Sequence, residues 1–178
     1  DKGKSQPENS RGEIVIRGHN VMKYYDENPE ANDKTFEFGW FRSGDEGFYL
    51  NDSKGRKFFF ITGRIKELII RGGVNIAPLE IDEVLMSLPE VKAGIAVGFD
   101  NDWYGEEVGA LVLLKDGQVP SERLKESIIK RCCEKLPFFK SPKVVIFSDT
   151  IPVTSTGKYQ RNKVKYLFEP FKKEQFKA

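Results

Sequence analysis

One twenty-residue stretch, residues 63–82, limits the folds open to this chain more than any other part of it. Its sequence, GRIKELIIRGGVNIAPLEID, places two adjacent glycines between two short apolar runs and a proline after the second run. Paired glycines accept the positive φ angles of a tight turn, so the stretch predicts a hairpin of strands at residues 67–70 and 74–76. Pro78 suits the first turn of a helix. A hairpin followed directly by a helix favours an α+β fold.

The chain after this stretch continues the same alternation of elements. Apolar residues at Ile81, Val84, Leu85 and Leu88 follow helical spacing and end before Pro89, so they predict a core-facing helix. Ser121 is a typical N-cap for a second helix that reaches about Cys133. Strands are expected at residues 91–99, 108–115 and 144–147, a loop at 100–107, and a closing helix at 161–168. This second region therefore predicts a hairpin and a three-stranded sheet packed by helices.

The residues before position 63 are predicted to be rich in β-structure. Strands are expected at 11–17, 48–50 and 57–62, with one short helix at 30–36. The strand at 11–17 alternates isoleucine and valine and is expected to be buried on both faces. The apolar run at 58–61, FFFI, is also expected to be covered, either by the rest of this region or by a part outside the chain.

Composition excludes several classes of function. Lys and Arg number 29 and Asp and Glu 27, so the net charge of +2 gives no strong field for nucleic acid or an anionic membrane. No apolar run approaches the roughly 18 residues of a transmembrane helix. His19 is the only histidine, which disfavours a Cys/His zinc site and a Ser-His-Asp triad. Cys132 and Cys133 are adjacent and unsuited to a structural disulfide, so a reducing cytoplasm is expected. The start lacks Met, as expected of a piece of a longer protein or a trimmed chain.

A loop with one lysine lies near the end, at residues 152–161, PVTSTGKYQR. A phosphate-binding P-loop is excluded, because Pro152 and Tyr159 stand where that motif needs Gly and Ser or Thr. Taken alone, the Gly157–Lys158 pair is typical of an exposed turn. The whole decapeptide, however, resembles the C-terminal lysine motif of the adenylate-forming superfamily, P-x-T-x-x-G-K-x-x-R. The resemblance implies that Lys158 contacts the carboxylate substrate and the ATP α-phosphate during acyl-adenylate formation.

Two further stretches carry the same resemblance. Residues 37–47, EFGWFRSGDEG, are similar to the family's G-W-x-x-T-G-D segment, with Ser43 in place of Thr, and imply that Asp45 accepts hydrogen bonds from the ATP ribose hydroxyls. Residues 63–82 resemble the longest family pattern. That match implies that Arg64 contacts ATP oxygens, that Lys66 is the hinge between two domains, and that Gly73 lines the pantetheine tunnel.

The coenzyme A side of the family pattern is matched less completely. Residues 136–142, LPFFKSP, resemble L-x-x-[FY]-K-x-P and imply that Phe139 stacks on the CoA adenine and that Lys143 meets CoA phosphates. Ser141 replaces an Arg that some members have. Residues 100–107, DNDWYGEE, resemble the family's D-x-x-x-G-E turn, and the resemblance implies that Tyr104 lies near the CoA entrance, at a position that is often Trp in the family.

Together these matches imply the C-terminal part of an acyl-CoA synthetase that uses a carboxylic acid, ATP and CoA. Residues 1–65 would end an incomplete large adenylating domain, and residues 66–178 would form the mobile small domain. Mg²⁺ ligands and the acyl pocket would lie in the missing N-terminal domain, so this fragment alone would not catalyse. The sequence is compatible with a homo-oligomer. Two alternatives stay open: an adenylation domain that loads a carrier protein, and a non-catalytic α+β binding module.

Overall fold

The structure is a computed structural model that describes residues 3–177, and backbone contacts divide the chain into two units between Lys66 and Glu67. This division falls one residue after the domain boundary predicted from the sequence. Each unit has its own sheet, and the protein has an α+β fold. No helix in residues 3–177 is long and apolar enough to cross a membrane.

The first unit is built around one long strand. Its elements are β1 (Gly12–Ile16), α1 (Pro29–Thr35), β2 (Phe36–Glu37), β3 (Trp40–Asn51) and β4 (Lys57–Arg64). Strands β1, β2 and β4 all pair with β3, and every pair is antiparallel. Helix α1 begins after Asn28, whose side chain accepts a hydrogen bond from the Ala31 amide at 3.1 Å.

The prediction that β1 is buried on both faces is wrong for the described chain. Val15 is 40% exposed and Ile16 is 39% exposed. The apolar run on β4 is more open still, because Phe59 and Ile61 are each 62% exposed. Residues 3–177 therefore do not supply the cover that these strands were expected to have.

The second unit contains a five-stranded sheet. Its strands are β5 (Ile69–Arg71), β6 (Val74–Ile76), β7 (Val91–Asn101), β8 (Gly105–Leu114) and β9 (Val144–Phe147). Strand β8 pairs antiparallel with β7 and parallel with β9, and its first residue pairs with Arg71 of β5. The predicted hairpin and three-stranded sheet are thus parts of one sheet. Pairing of β7 with β8 extends to Asn101 and Gly105, so only Asp102–Tyr104 remain of the loop predicted at 100–107.

Both faces of this sheet are covered. Helices α2 (Pro78–Met86) and α3 (Glu122–Lys135) pack on one face and bury residues such as Leu85, Ile128 and Cys132. The other face packs against Val164 and Phe168. These belong to a 3₁₀ helix at Arg161–Phe171, which extends three residues beyond the closing helix predicted at 161–168. A side chain at Gly109 would meet the Phe168 ring at 2.4 Å, so the close approach of this helix requires glycine there.

Candidate functional site

The lysine loop, residues 152–160, is a hydrogen-bonded hairpin turn. Thr154 N donates to Lys158 O at 2.8 Å, and Gly157 N donates to Thr154 O at 2.9 Å. The Thr154 hydroxyl also accepts from Lys158 N at 3.1 Å. Gly157 has a φ of 79°, a conformation that other residues rarely adopt. The backbone of the loop is therefore fixed locally. The Lys158 side chain is exposed and its ammonium has no partner among residues 3–177.

The base of this loop is held by a buried ion pair. Arg161 is 7% exposed, and its guanidinium donates two hydrogen bonds to the Asp82 carboxylate on α2. It also donates to Ala96 O at 2.9 Å and to Glu67 Oε2 at 3.1 Å. Burial by itself lowers the pKa of Arg161, but the hydrogen bonds and charge of Asp82 outweigh it and raise the pKa above its usual value. The last residue of the lysine motif thus ties the loop to α2, to β7 and to the residue that follows Lys66.

Asp45 and Arg64, the two residues predicted to bind ATP, lie opposite each other on β3 and β4. Arg64 Nε is 3.4 Å from Asp45 Oδ1, and the Arg64 side chain is about half exposed. Ser43 supplies a hydroxyl where the family pattern has Thr. This hydroxyl donates to Ile14 O at 2.7 Å and accepts from Asp45 N at 3.0 Å. An exposed pair of this kind contributes at most about 1 kcal/mol to stability, so both side chains are available to a ligand.

Gly72 and Gly73 form the two-residue turn between β5 and β6. Their φ angles are 54° and 82°, which is the backbone reason for paired glycines here. Gly72 N donates to Tyr104 O at 2.8 Å, and the Arg71 guanidinium lies 3.8 Å from the Tyr104 ring centroid. The structure therefore brings Gly73 and Tyr104, two residues predicted on the CoA side, to the same end of the sheet. No atom of the described chain lies within 4 Å of a Cβ built on Gly73, so this glycine's place in a tunnel stays a prediction.

Comparison with known proteins gives this arrangement a family. Residues 80–158 match the family described as the AMP-binding enzyme C-terminal domain. The chain carries an AMP-binding enzyme C-terminal domain. It is 44% identical over 168 residues to the oxalate–CoA ligase of Arabidopsis thaliana. The aligned region covers 94% of this chain and 31% of that protein. It is 39% identical over 164 residues to the sulfoacetate–CoA ligase of Cupriavidus necator, covering 91% of this chain and 31% of that protein.

Solved structures show the same likeness. ATP-bound MatB from Rhodopseudomonas palustris superposes with a TM-score of 0.83 at 32% identity, covering 97% of this chain and 33% of that one. The o-succinylbenzoate CoA synthetase of Bacillus subtilis, in complex with its acyl-adenylate, gives a TM-score of 0.81 at 32% identity, covering 93% and 32%. The chain therefore spans about a third of the length of the relatives that it matches.

Lys66 is the last residue of the first unit, just before the unit that carries the AMP-binding enzyme C-terminal domain. It is exposed and sits in a 3₁₀ turn, Ile65–Glu67, between β4 and β5. The division between the two units follows it directly. Its role as a hinge stays a prediction, since one conformation does not report a rotation.

Lys143 has local partners that the sequence did not predict. Its ammonium donates to Ser141 O at 2.6 Å and to Phe138 O, and it lies 4.0 Å from the Phe138 ring centroid. The pKa of Lys143 is lowered to about 8, chiefly by burial; the charge of Glu107 opposes this shift and the charge of Arg71 adds to it. A contact with CoA phosphate would exchange these carbonyl partners for the ligand. Phe139, which was predicted to stack on the CoA adenine, is 37% exposed in the described chain.

Sequence reasoning missed the charges that hold this end of the second unit together. Arg71 Nε donates to Glu107 Oε1 at 2.7 Å, and Glu107 is fully buried. Its second oxygen, Oε2, has no hydrogen-bond partner among the described residues. Arg161 and Asp82 were recognised only as motif positions, because they are 79 residues apart and no local pattern records their contact.

Proposed function

We propose that the whole protein is an AMP-forming acid–CoA ligase, which activates a carboxylic acid as acyl-AMP and then transfers the acyl group to CoA. The observation that carries the proposal is Lys158, an exposed cation without a partner in residues 3–177 on a loop fixed at its base. Phosphoryl transfer gathers negative charge on the α-phosphate. A positioned cation in a water-poor site stabilises that charge.

In the first half-reaction, the carboxylate attacks the α-phosphate of ATP and pyrophosphate leaves. Lys158 would contact the substrate carboxylate and the α-phosphate, while Asp45 would accept from the ribose hydroxyls and Arg64 would contact ATP oxygens. The ligands of the Mg²⁺ that accompanies ATP would lie in other parts of the whole protein. There the ion would neutralise phosphate charge.

In the second half-reaction, the CoA thiol attacks the acyl carbonyl and AMP leaves. The small domain would rotate about Lys66, withdrawing Lys158 and presenting Gly73, Tyr104, Phe139 and Lys143 to CoA. One domain would serve two steps by moving, as enzyme lids and domains do elsewhere. The sequence relatives reported above are named CoA ligases, which favours CoA over a carrier protein as the acyl acceptor.

The compartment is part of the same proposal. Cys132 and Cys133 are both free, as expected in a reducing cytoplasm. One relative, the butyrate–CoA ligase of Arabidopsis thaliana, is named peroxisomal. Imaging of the tagged whole protein separates these two locations.

The test uses the full-length protein with ATP, Mg²⁺, CoA and a panel of acids. The panel begins with oxalate, because two relatives at 44% and 40% identity are named oxalate–CoA ligases. It continues with sulfoacetate, butyrate and a long-chain fatty acid. AMP release that requires both an acid and CoA, with equal loss of free thiol, supports the proposal. Pyrophosphate exchange without any CoA consumption would favour a carrier-loading enzyme, and no turnover of ATP would favour a binding module.

A further inference from the structure

Residues 172–176, here called the strap, leave the closing 3₁₀ helix and run beside the turn between β7 and β8. Asn101, the last residue of β7, is 3% exposed and points its amide at this segment. Its Nδ2 donates to Lys172 O at 3.2 Å and to Glu174 O at 2.9 Å. A buried amide whose two N–H groups both reach strap carbonyls fixes the path of the strap.

The turn itself donates three more hydrogen bonds to strap carbonyls. Asp102 N donates to Lys172 O at 3.0 Å, and Trp103 Nε1 donates to Lys173 O at 3.3 Å. Tyr104 Oη donates to Phe176 O at 3.4 Å. The Phe176 side chain packs against the apolar cluster around Phe168, which anchors the far end of the strap. Because every acceptor is a backbone carbonyl, these contacts depend on the course of the strap and on the donors in the turn.

The same asparagine links the strap to the glycine turn. Asn101 Oδ1 accepts from Trp103 N at 3.1 Å and from Tyr104 N at 3.2 Å, so it orders the turn from inside. The carbonyl of Tyr104 then accepts from Gly72 N, and its ring lies under Arg71. One continuous series of contacts therefore runs from the strap through Asn101 and Tyr104 to the turn that contains Gly73.

We propose that the strap and Asn101 are positioning elements for the thioester-forming half-reaction, a role that rests on the proposed function. They hold Tyr104 and the Gly72–Gly73 turn in the conformation that CoA meets, so that binding does not have to order these groups. The lysine loop shares the apolar cluster around Phe168 with the strap, through Tyr159, but its hydrogen-bonded support is its own, since Arg161 is bonded to Asp82, Ala96 and Glu67. The strap therefore acts on the CoA step and not on adenylation.

The test is Asn101→Asp in the full-length protein. Aspartate keeps the size and one acceptor oxygen, but it replaces the two N–H donors with an oxygen that repels the strap carbonyls. The KM for CoA should rise about tenfold, with a smaller change in kcat. That factor corresponds to about 1.4 kcal/mol. Acid-dependent pyrophosphate exchange, which reports adenylation, should stay within about twofold.

Two further variants distinguish a loss of positioning from general damage to the fold. Asn162→Asp makes the same change at an exposed position of the closing helix, and its KM for CoA should not move. Trp103→Phe removes a single donor to the strap and should raise the KM for CoA in the same direction by a smaller factor. This milder variant keeps the test valid if Asn101→Asp does not fold.

Hydrogen exchange supplies a reading that needs no activity. In Asn101→Asp, amides around Gly72 should exchange faster while those of residues 152–160 do not change. Equal losses in both half-reactions, or faster exchange with an unchanged KM for CoA, would overturn the positioning role. Unchanged hydrogen exchange around Gly72 would show that Asn101 does not hold the glycine turn in place, which would overturn the proposed link between the strap and that turn. A wild-type protein that forms acyl-AMP but ignores CoA would instead show that the proposed function fails.

Discussion

Asp45 is a carboxylate within a strand, with one oxygen 3.4 Å from Arg64 and with Ser43 fixing its backbone amide. The sequence placed it between two flexible glycines, whereas the structure places it in β3 opposite Arg64. A rigid strand position suits an acceptor that must meet two neighbouring hydroxyl groups at once. We propose that Asp45 accepts hydrogen bonds from the ribose hydroxyls of ATP.

We therefore expect Asp45→Ala to lower kcat/KM for ATP in the full-length protein by about 10- to 100-fold. The loss matches the roughly 1.5–3 kcal/mol of hydrogen bonds to a charged group. The control is 2′-deoxy-ATP, which should be a poorer substrate for the wild type but should cost the variant little more. Equal sensitivity of both proteins to the missing hydroxyl would show that Asp45 does not contact the ribose.

Lys143 provides a prediction about pH. Its pKa of about 8, lowered by burial, means that the ammonium is charged below that pH and loses its proton as the pH rises through it. If Lys143 meets a CoA phosphate, the KM for CoA should rise between pH 7 and pH 9. Lys143→Arg should remove this rise, because a guanidinium stays charged throughout the range. Parallel pH profiles for the two proteins would exclude Lys143 from phosphate binding.

At the level of single residues, the sequence located the motif positions but not their partners. Gly73 and Lys158 could be found because their motifs are local and fixed in spacing. Contacts such as that between Arg161 and Asp82 join residues 79 positions apart, so no local pattern records them. The carbonyl partners of Lys143 are only two and five residues away, but they depend on the backbone path after α3, which the motif spacing does not record.

Among the elements, the lysine loop and α2 are connected by a buried ion pair between Arg161 and Asp82. Arg161 and Asp82 are each 7% or less exposed, and their ion pair closes the loop onto the sheet. A buried pair is costly to break from one side, because the remaining charge is then left without a partner.

Arg161→Met should accordingly lower the free energy of unfolding by about 3–5 kcal/mol. Urea unfolding of the chain, followed by circular dichroism, measures this loss. Arg123→Met is the matched control at an exposed position of α3 and should change stability by less than about 0.5 kcal/mol. Similar values for the two variants would mean that the ion pair does not hold the loop.

Element boundaries were predictable where local chemistry decides them. The start of α2 at Pro78, the N-cap Ser121 and the strand β9 follow the sequence expectation. Strand β3 is longer than predicted because pairing with three neighbours carries it through Gly44 and Gly47. The closing segment packs as a 3₁₀ helix with Pro170 inside it, and that choice depends on the face it covers rather than on its own periodicity.

At the scale of the whole molecule, the chain consists of two units that each leave a feature without a partner. The first exposes the apolar run of β4, with Phe59 and Ile61 each 62% accessible. The second presents an exposed Lys158 on a fixed loop, without an ion pair to an acidic residue of the described chain. We assign both features to the proposed larger enzyme, in which the cation would reach a nucleotide only in the adenylating arrangement.

The measurement that tests this most directly compares the two half-reactions in full-length Lys158→Ala. The rate of adenylation, measured as acid-dependent pyrophosphate exchange, should fall by a factor of roughly 100. This corresponds to a loss of at least about 3 kcal/mol of transition-state stabilisation. Thioester formation from supplied acyl-AMP and CoA should stay within a few-fold of the wild type. Lys163→Ala, a nearby exposed lysine, should leave both unchanged. Equal losses in the two half-reactions, or undiminished adenylation, would contradict the account.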